Sequence, residues 1–574
     1  MSAAPAKSRS QFPAPDLSDF RKRYPLTVAS FGSLADREVW LRRIWEMDAC
    51  WQQAMSEQSS KSAPECVIKG APRADLSLEA EFEIIYHGGE LGLLQAAVMS
   101  CVYRRRVLVF DEDAVGQTER VWNVSNQELD ELERTGLFTV EELEAAILNR
   151  YRKGFVKFHD AASRIKTPPL WMDGVLDVSL DAERLLGIAR RKIEQSQTGS
   201  VLLDGLRFVR CYVQPDSVSV EVEETRTAKR KLYGARLLVD ATDAQSLLAR
   251  QLNESGAITH VRPTVGTVAR GFARGEDPDK VDFGVGEILV SNEDARDHRQ
   301  LLWEGCARSG KSDEYITSLF FYDSVNSHAD KSLLSLFEQY FETLPGYKRA
   351  GAQWRVLKPV FNYIPGAKQS GRKNTRRTAE NRVLLTGDAA RLSAPLTLVG
   401  FGAHVRSLRS LAHLTDLALK ANLLDAASLS EINACEPRVA PLTNLAELMR
   451  PAPRSAPPVV NETMNALMAA LHDLDERVRR DFFQGRMSFG ALKNLLTRTF
   501  KLYPRFLQHV REHLGTRGTL WWMAGIAEST LHERRRRGRA ASAQPTEPKD
   551  EDDAIEDFAR HVALYQKDHH ANEL

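Results

Sequence analysis

Several features common in other protein classes are missing from this sequence. It has six cysteines (Cys50, Cys66, Cys101, Cys211, Cys306 and Cys435), scattered and with no Cys-x-x-Cys. That argues against a zinc site or a disulfide framework and fits a reducing compartment. No run of about 18 uninterrupted apolar residues occurs, so no membrane-spanning helix is expected. The opening MSAAPAKSRS leads into a polar, Pro-bearing stretch rather than the apolar core of a signal peptide, and the expectation is a cytoplasmic protein. Charge of one sign is also missing: 78 Lys and Arg face 77 Asp and Glu, which gives no basic field for nucleic acid. There is no internal repeat. What remains is 574 residues, 43% apolar and 27% charged, a composition typical of soluble globular proteins and a length that calls for two or more lobes.

The stretch FEIIYHGGELGLLQAAVMSCVYRRRVLVFDE, Phe82 to Glu112, reads as strand, glycine turn, helix, strand. Gly88, Gly89 and Gly92 fill most of a Gly-x-Gly-x-x-Gly dinucleotide turn. Its second glycine lets the backbone approach a pyrophosphate, and its third lets helix pack on strand. His87 stands where the first glycine belongs. It can serve there only if its φ stays negative and Gly88 absorbs the awkward conformation. Asp111 falls where an acid grips a ribose, one residue later than usual, with Glu112 the alternate. On these residues alone, a nucleotide turn and a glycine-rich turn with no ligand both stand.

A second stretch, RVLLTGDAARLSAPLTLVGFGAHVRSLRSL (Arg382 to Leu411), places Gly387 and Asp388 after a buried strand and Gly400 and Gly402 at the opening of a helix. It resembles the second FAD signature of the two-domain flavoproteins. In that group the aspartate holds a ribityl or ribose hydroxyl, and the helix points its positive end at the flavin pyrimidine ring, favouring the anionic reduced flavin. The alternative is a strand-to-helix turn capped by an aspartate. Two signatures in the correct order favour FAD. Between them, ARLLVDATD carries Asp240-Ala241 without the glycine that usually follows.

A narrower likeness lies in ERVWNVSNQELDEL (119–132). Trp122-Asn123-Val124-Ser125 followed by Glu128-Leu129, with Gly88-Gly89-Glu90-Leu91-Gly92 as the phosphate turn, resembles the CruA/CruP type of lycopene cyclase. That family has Trp-Asn-Ile-Ser in the loop beyond the second strand and Gly-Gly-Thr-Leu-Gly in the turn, and it tolerates a non-glycine in the first position. Similarity continues through GFVKFHD, VLDVSLDAERLL, LLWEG, LFEQYFETLPGYK and GFGAHVRSLRSL, covering roughly residues 80 to 530. Glu90 for Thr and the extra residue before Asp111 are departures.

The resemblance implies an α/β fold: a Rossmann-like FAD-binding domain with a mixed β-sheet substrate domain and a C-terminal helical extension. The expected division is a leader and N-terminal helical segment (1–80), the first part of the FAD domain (81–261), the substrate domain (262–375), the second part of the FAD domain (376–425), a helical region (426–540) and an acidic, mostly disordered tail (541–574). Residues 1–30 read as a mobile leader. The implied cofactor is FAD, active when reduced, with NAD(P)H as a reductant, and the implied substrate is lycopene or a related carotenoid. Asn123 is a cofactor-binding candidate or a turn cap.

Cyclisation of such a polyene needs an apolar tunnel, a buried and protonated carboxylic acid, and negative charge near the developing cation. Glu304, in LLWEGC, is the first candidate acid, against a strand-edge carboxylate facing water; Glu90 is the second. His404 and Arg406 either touch the flavin or form an outward-facing pair. His159 carries only the family likeness. Residues 505–539, with Trp521-Trp522 and a basic run, suit peripheral attachment to an anionic membrane surface or a packed helical domain. Two other readings stand beside the cyclase: a flavin oxidoreductase or monooxygenase on another apolar isoprenoid, and a non-catalytic FAD-binding paralogue.

Overall fold

The computed structural model describes residues 15–60, 65–118, 120–242, 246–253, 258, 260–292, 300–309, 312–366, 377–390, 400–433, 457–512, 514–520, 522–524 and 527. The elements that position the site are, in chain order, α1 (Arg37–Ser60), β1 (Leu78–His87), α2 (Leu91–Cys101), β2 (Val107–Asp111), β3 (Val121–Val124), α3 (Asn126–Arg134), β4 (Val201–Asp204), β5 (Arg230–Asp240), β6 (His260–Phe272), β7 (Leu302–Ser309), β8 (Glu314–Phe320), α4 (Leu333–Tyr347), β9 (Val383–Leu385), α5 (Gly400–Ala421) and α6 (Pro457–His472).

The first lobe is built on a parallel array β9–β5–β1–β2–β4, extended past β5 by antiparallel strands. Its central strands are continuous apolar runs because helices cover them: Ile84, Tyr86, Val107 and Val109 pack against Leu93, Leu94 and Ala97 of α2 and Val405 and Leu408 of α5. The register brings the carboxyl ends level. His87 lies opposite Phe110 and Asp240, and Asp240 lies opposite Leu385. Ligands of open parallel sheets bind at that edge.

The second lobe is a mixed sheet in which β8 lies between β6 and β7, with the long strand Ala350–Gly366 paired along β6. One face packs on α4, where Phe337, Tyr340 and Leu344 meet Trp303, Tyr315 and Leu319. Pro345 does not end α4 as its sequence suggests; the helix runs to Tyr347. In the last turn only a single backbone donor is lost to a proline.

Several boundaries differ from the expected ones. The expected leader (1–30) contributes core: Phe20 and Val28 are buried against the second lobe, beside Phe31 and with Leu41, Ile44 and Trp51 of the N-terminal helical segment. Asp48 of α1 accepts from the Leu333 and Leu334 amides, the Ser332 hydroxyl and the Tyr363 hydroxyl, capping α4 from another element. The chain also enters the second sheet well before residue 262, because Lys153–Lys157 pairs with Val285–Ser291 and Leu170–Met172 pairs with Lys153–Lys157. The C-terminal helices, α6 onward, bury Met464, Leu467, Phe482, Leu495 and Trp522 against that end of the sheet. The tail from 541 lies outside the described residues.

Candidate functional site: a glycine turn and the Glu304–Arg262 pair

Three separated stretches meet at the sheet edge. The Ala241 amide donates to the His87 carbonyl at 2.9 Å, and the Thr386 amide to the Asp240 carbonyl at 2.9 Å. His87 is not among the positive-φ residues, and Gly88 carries φ +116°. The sterically demanding conformation therefore falls on the residue without a Cβ. A Cβ on Gly88 would stand 2.8 Å from the Ala241 carbonyl oxygen, and one on Gly92 would stand 3.1 Å from the Ala241 Cβ. Ala241 thus accounts for two of the three glycines. The His87 ring is stacked between Phe110 and Phe208, at 4.8 and 5.2 Å between centroids.

Gly89 donates its amide to Asp111 Oδ2 at 2.6 Å, and Asp113 donates to Oδ1 at 3.1 Å. Asp111 is thereby fixed beside the turn at the end of β2. Glu90 is the N-cap residue of α2 but makes no side-chain cap; its carboxylate pairs with Arg120 at 3.1 Å. Glu90 therefore stands at the glycine turn of the first lobe, apart from Glu304 on the second.

The second signature closes on the same point. Gly387 has φ +55°, and a Cβ there would meet the Leu91 side chain at 3.1 Å. Asp388 follows it, exposed, in the short helix Gly387–Ala390. Gly400 opens α5, and a Cβ on Gly402 would fall 2.5 Å from the Glu128 carboxylate. Glu128 accepts from the Ser125 amide at 2.9 Å and pairs with Arg406. Residues 391–399 between them are not described.

Trp122, Asn123 and Val124, expected in a loop, form β3, and Ser125 with Glu128 makes a capping box for α3. Strand alternation then splits the motif. Trp122 stacks on Phe401 of α5 at 3.8 Å, while Asn123 Nδ2 reaches Cys306 Sγ of β7 at 3.6 Å. Two positions along β7, on the same face, stands Glu304. Its side chain keeps 26% exposure, yet the protein around it pushes its carboxyl above the usual glutamate range, against the opposing effect of Arg262. Arg262 Nη2 donates to Glu304 Oε1 at 3.2 Å, and its guanidinium lies 3.7 Å over Phe320. Arg262 escaped the sequence reading; a lone arginine inside the apolar run HVRPTVGTVA was the available signal.

His404 and Arg406 do not face outward. His404 is buried, its ring at the Leu91 backbone, and burial lowers its pKa to about 4. Arg406 is buried against Glu128 and donates to the Gln484 carbonyl at 2.7 Å. His159 donates its amide to Ser291 Oγ at the edge of the second sheet.

No family model matches this chain, and no curated protein matches it. Solved structures do. The halogenase PltM in complex with phloroglucinol and FAD aligns over 86% of this chain and 96% of its own, with a TM-score of 0.50 and 14% identity. A mutant of the same halogenase in complex with FAD aligns over 75% and 96%, also at 0.50 and 14% identity. A geranylgeranyl bacteriochlorophyll reductase-like protein from Thermoplasma acidophilum aligns over 75% and 99%, with a TM-score of 0.49 and 11% identity. The chain has the flavoprotein fold.

The residues at the turn suit a flavin dinucleotide. The first-turn amides of α2 receive no side-chain cap, which suits a diphosphate at that helix end. Asp111 and Asp388 stand at strand ends on the same edge. Among the described residues no helix is long and apolar enough to cross a membrane, and no cluster suits a metal ion.

Proposed function

We propose that this chain binds FAD at the Gly88–Gly92 turn and Asp388 and acts as a flavin-dependent enzyme on a substrate held between the lobes, with Glu304 as the proton donor. The observation that carries the reading is Glu304 itself: a carboxyl that burial raises, held by Arg262, and two positions along β7 from the Cys306 that Asn123 reaches. FAD, when bound, would supply reducing equivalents or, reduced, a negative charge for a developing cation. The chain's own residues do the rest. Arg262 holds Oε1, which leaves Oε2 to carry a proton, and burial keeps that proton on to higher pH than water would. Cys306, two positions along β7, and Asn123, which reaches it, lie on the same side.

The finer assignment follows the CruA/CruP-like motifs: acid-initiated, redox-neutral cyclisation of a linear carotene end group, as in lycopene cyclases. A membrane-borne substrate would call for surface contact. Leu502, Leu507, Leu520 and Met523 are exposed apolar side chains on the C-terminal helices that could provide it. Trp522, however, is packed in the core, and Trp521 and the basic run lie outside the described residues.

A second reading, an oxidoreductase or monooxygenase, draws on the likeness to the halogenase PltM, solved in complex with phloroglucinol and FAD. The deciding experiment expresses the chain in a lycopene-accumulating host beside Asp388→Ala. Ring-bearing carotenes that vanish in the control support the cyclase. Untouched lycopene with NAD(P)H consumed by the flavin-loaded chain removes the cyclase and supports the oxidoreductase. A flavin-loaded chain that does neither points to the non-catalytic paralogue.

A further inference from the structure

The glycine turn carries a charge opposed to its task. A diphosphate is held at a helix N-terminus by free amides and the positive end of the dipole. Here the N-cap residue of α2 is Glu90, an anion placed at that same positive end. Its side chain does not cap the helix; it reaches Arg120, just before β3, with 3.1 Å between Nη1 and Oε2. Two of the turn's amides are already committed, Gly88 to the Phe110 carbonyl and Gly89 to Asp111. Arg120 is more than half exposed, so its pairing is weak and its side chain free to turn.

Resting on the FAD reading, we infer that Glu90 and Arg120 form an electrostatic latch that makes the dinucleotide at this turn exchangeable rather than permanently held. In the empty chain Arg120 neutralises Glu90. A diphosphate entering the turn meets the Glu90 carboxylate as a like charge, and Arg120 must then serve two anions. The repulsion sets how readily the dinucleotide leaves, and Arg120 sets whether it enters at all. Both are positioning residues for the cofactor.

The test titrates the purified full-length chain with FAD, following flavin fluorescence, and repeats the titration with ADP, which has the diphosphate but no flavin ring. Glu90→Gln is expected to tighten FAD roughly tenfold, Arg120→Ala to loosen it by about the same factor or more, and the double variant to return near wild type. ADP should follow in the same directions, which places the effect at the diphosphate. Thermal scans of the unliganded variants confirm that each is folded. FAD affinity unmoved by either substitution, or weakened by Glu90→Gln, overturns the latch and leaves the FAD reading standing. Wild type and Glu90→Gln both failing to bind FAD and ADP would overturn the FAD reading and the latch with it.

Discussion

At the scale of single residues, two buried titratable groups give opposite pH signatures. Burial raises Glu304, so the fold favours its protonated form. Its share of stability is present below the ordinary glutamate range and is lost as pH rises through the raised value. Glu304→Gln keeps an acceptor for Arg262 while removing the proton. The variant should fold, be at least as stable as wild type at alkaline pH, and lose on the order of 100-fold in turnover. If Glu304→Gln retains wild-type turnover, Glu304 is not the donor. Burial lowers His404 to about 4, the opposite case. The unfolded chain binds that proton more readily, so stability is present above pH 6.5 and lost as pH falls toward 4. Between about pH 7 and pH 5 the loss is roughly 2 kcal/mol. Urea unfolding of wild type and His404→Leu at both values checks this: the variant should show a smaller drop by about that amount.

At the scale of elements, most contacts that place the site are caps and close approaches. Gly402 is small because the Glu128 carboxylate occupies the place of its Cβ, and Glu128 is pinned by the Ser125 amide and Arg406. Gly402→Ala should push Glu128 out of its capping box and lower stability by about 1–3 kcal/mol, read as a drop in Tm. Asp48 caps α4 from α1 with four acceptor contacts. Asp48→Ala leaves the Leu333 and Leu334 amides without their acceptor and should lower stability by about 2 kcal/mol or more. Digestion near residues 15–60 should speed up with it; unchanged digestion would mean the N-terminal helices hold by their apolar contacts alone.

These same elements mark how far the sequence could be read. The glycine turn, the strand that delivers Gly387-Asp388 and the helix opening at Gly400 are local patterns, and each lies where its spacing puts it. Even the substitution at His87 was legible, because the demand for a left-handed residue passes to Gly88. The leader, β3 and the partners of Glu304 were not. Phe20 and Ile44 look like residues of an isolated amphipathic segment until the second sheet is there to cover them. Trp122-Asn123-Val124 is too short a run to declare itself a strand. It becomes one only by pairing with Val178–Asp181, far along the chain. Arg262 meets Glu304 across β8 in a register no local pattern encodes.

For the whole molecule, the two lobes should respond differently to ligand. A dinucleotide at the Gly88 turn, where we propose FAD binds, would meet the carboxyl ends of β1, β2, β5 and β9, so its binding free energy would add to the stability of the first lobe. FAD at about 100 times its Kd should stabilise the chain by roughly 2.7 kcal/mol, growing with concentration. The second lobe gains through contacts that cross between the lobes, among them Asn123–Cys306 and the Arg406 donation to the Gln484 carbonyl. If those contacts couple the lobes, a single unfolding transition moves upward with FAD, and Asp388→Ala, which should weaken the ligand, moves it less at the same concentration. If they do not, calorimetry will resolve two transitions, and FAD will shift only the one that belongs to the parallel sheet. Asn123→Ala tests one such contact: it should lower the transition without changing FAD affinity, because Asn123 faces Cys306 and not the glycine turn.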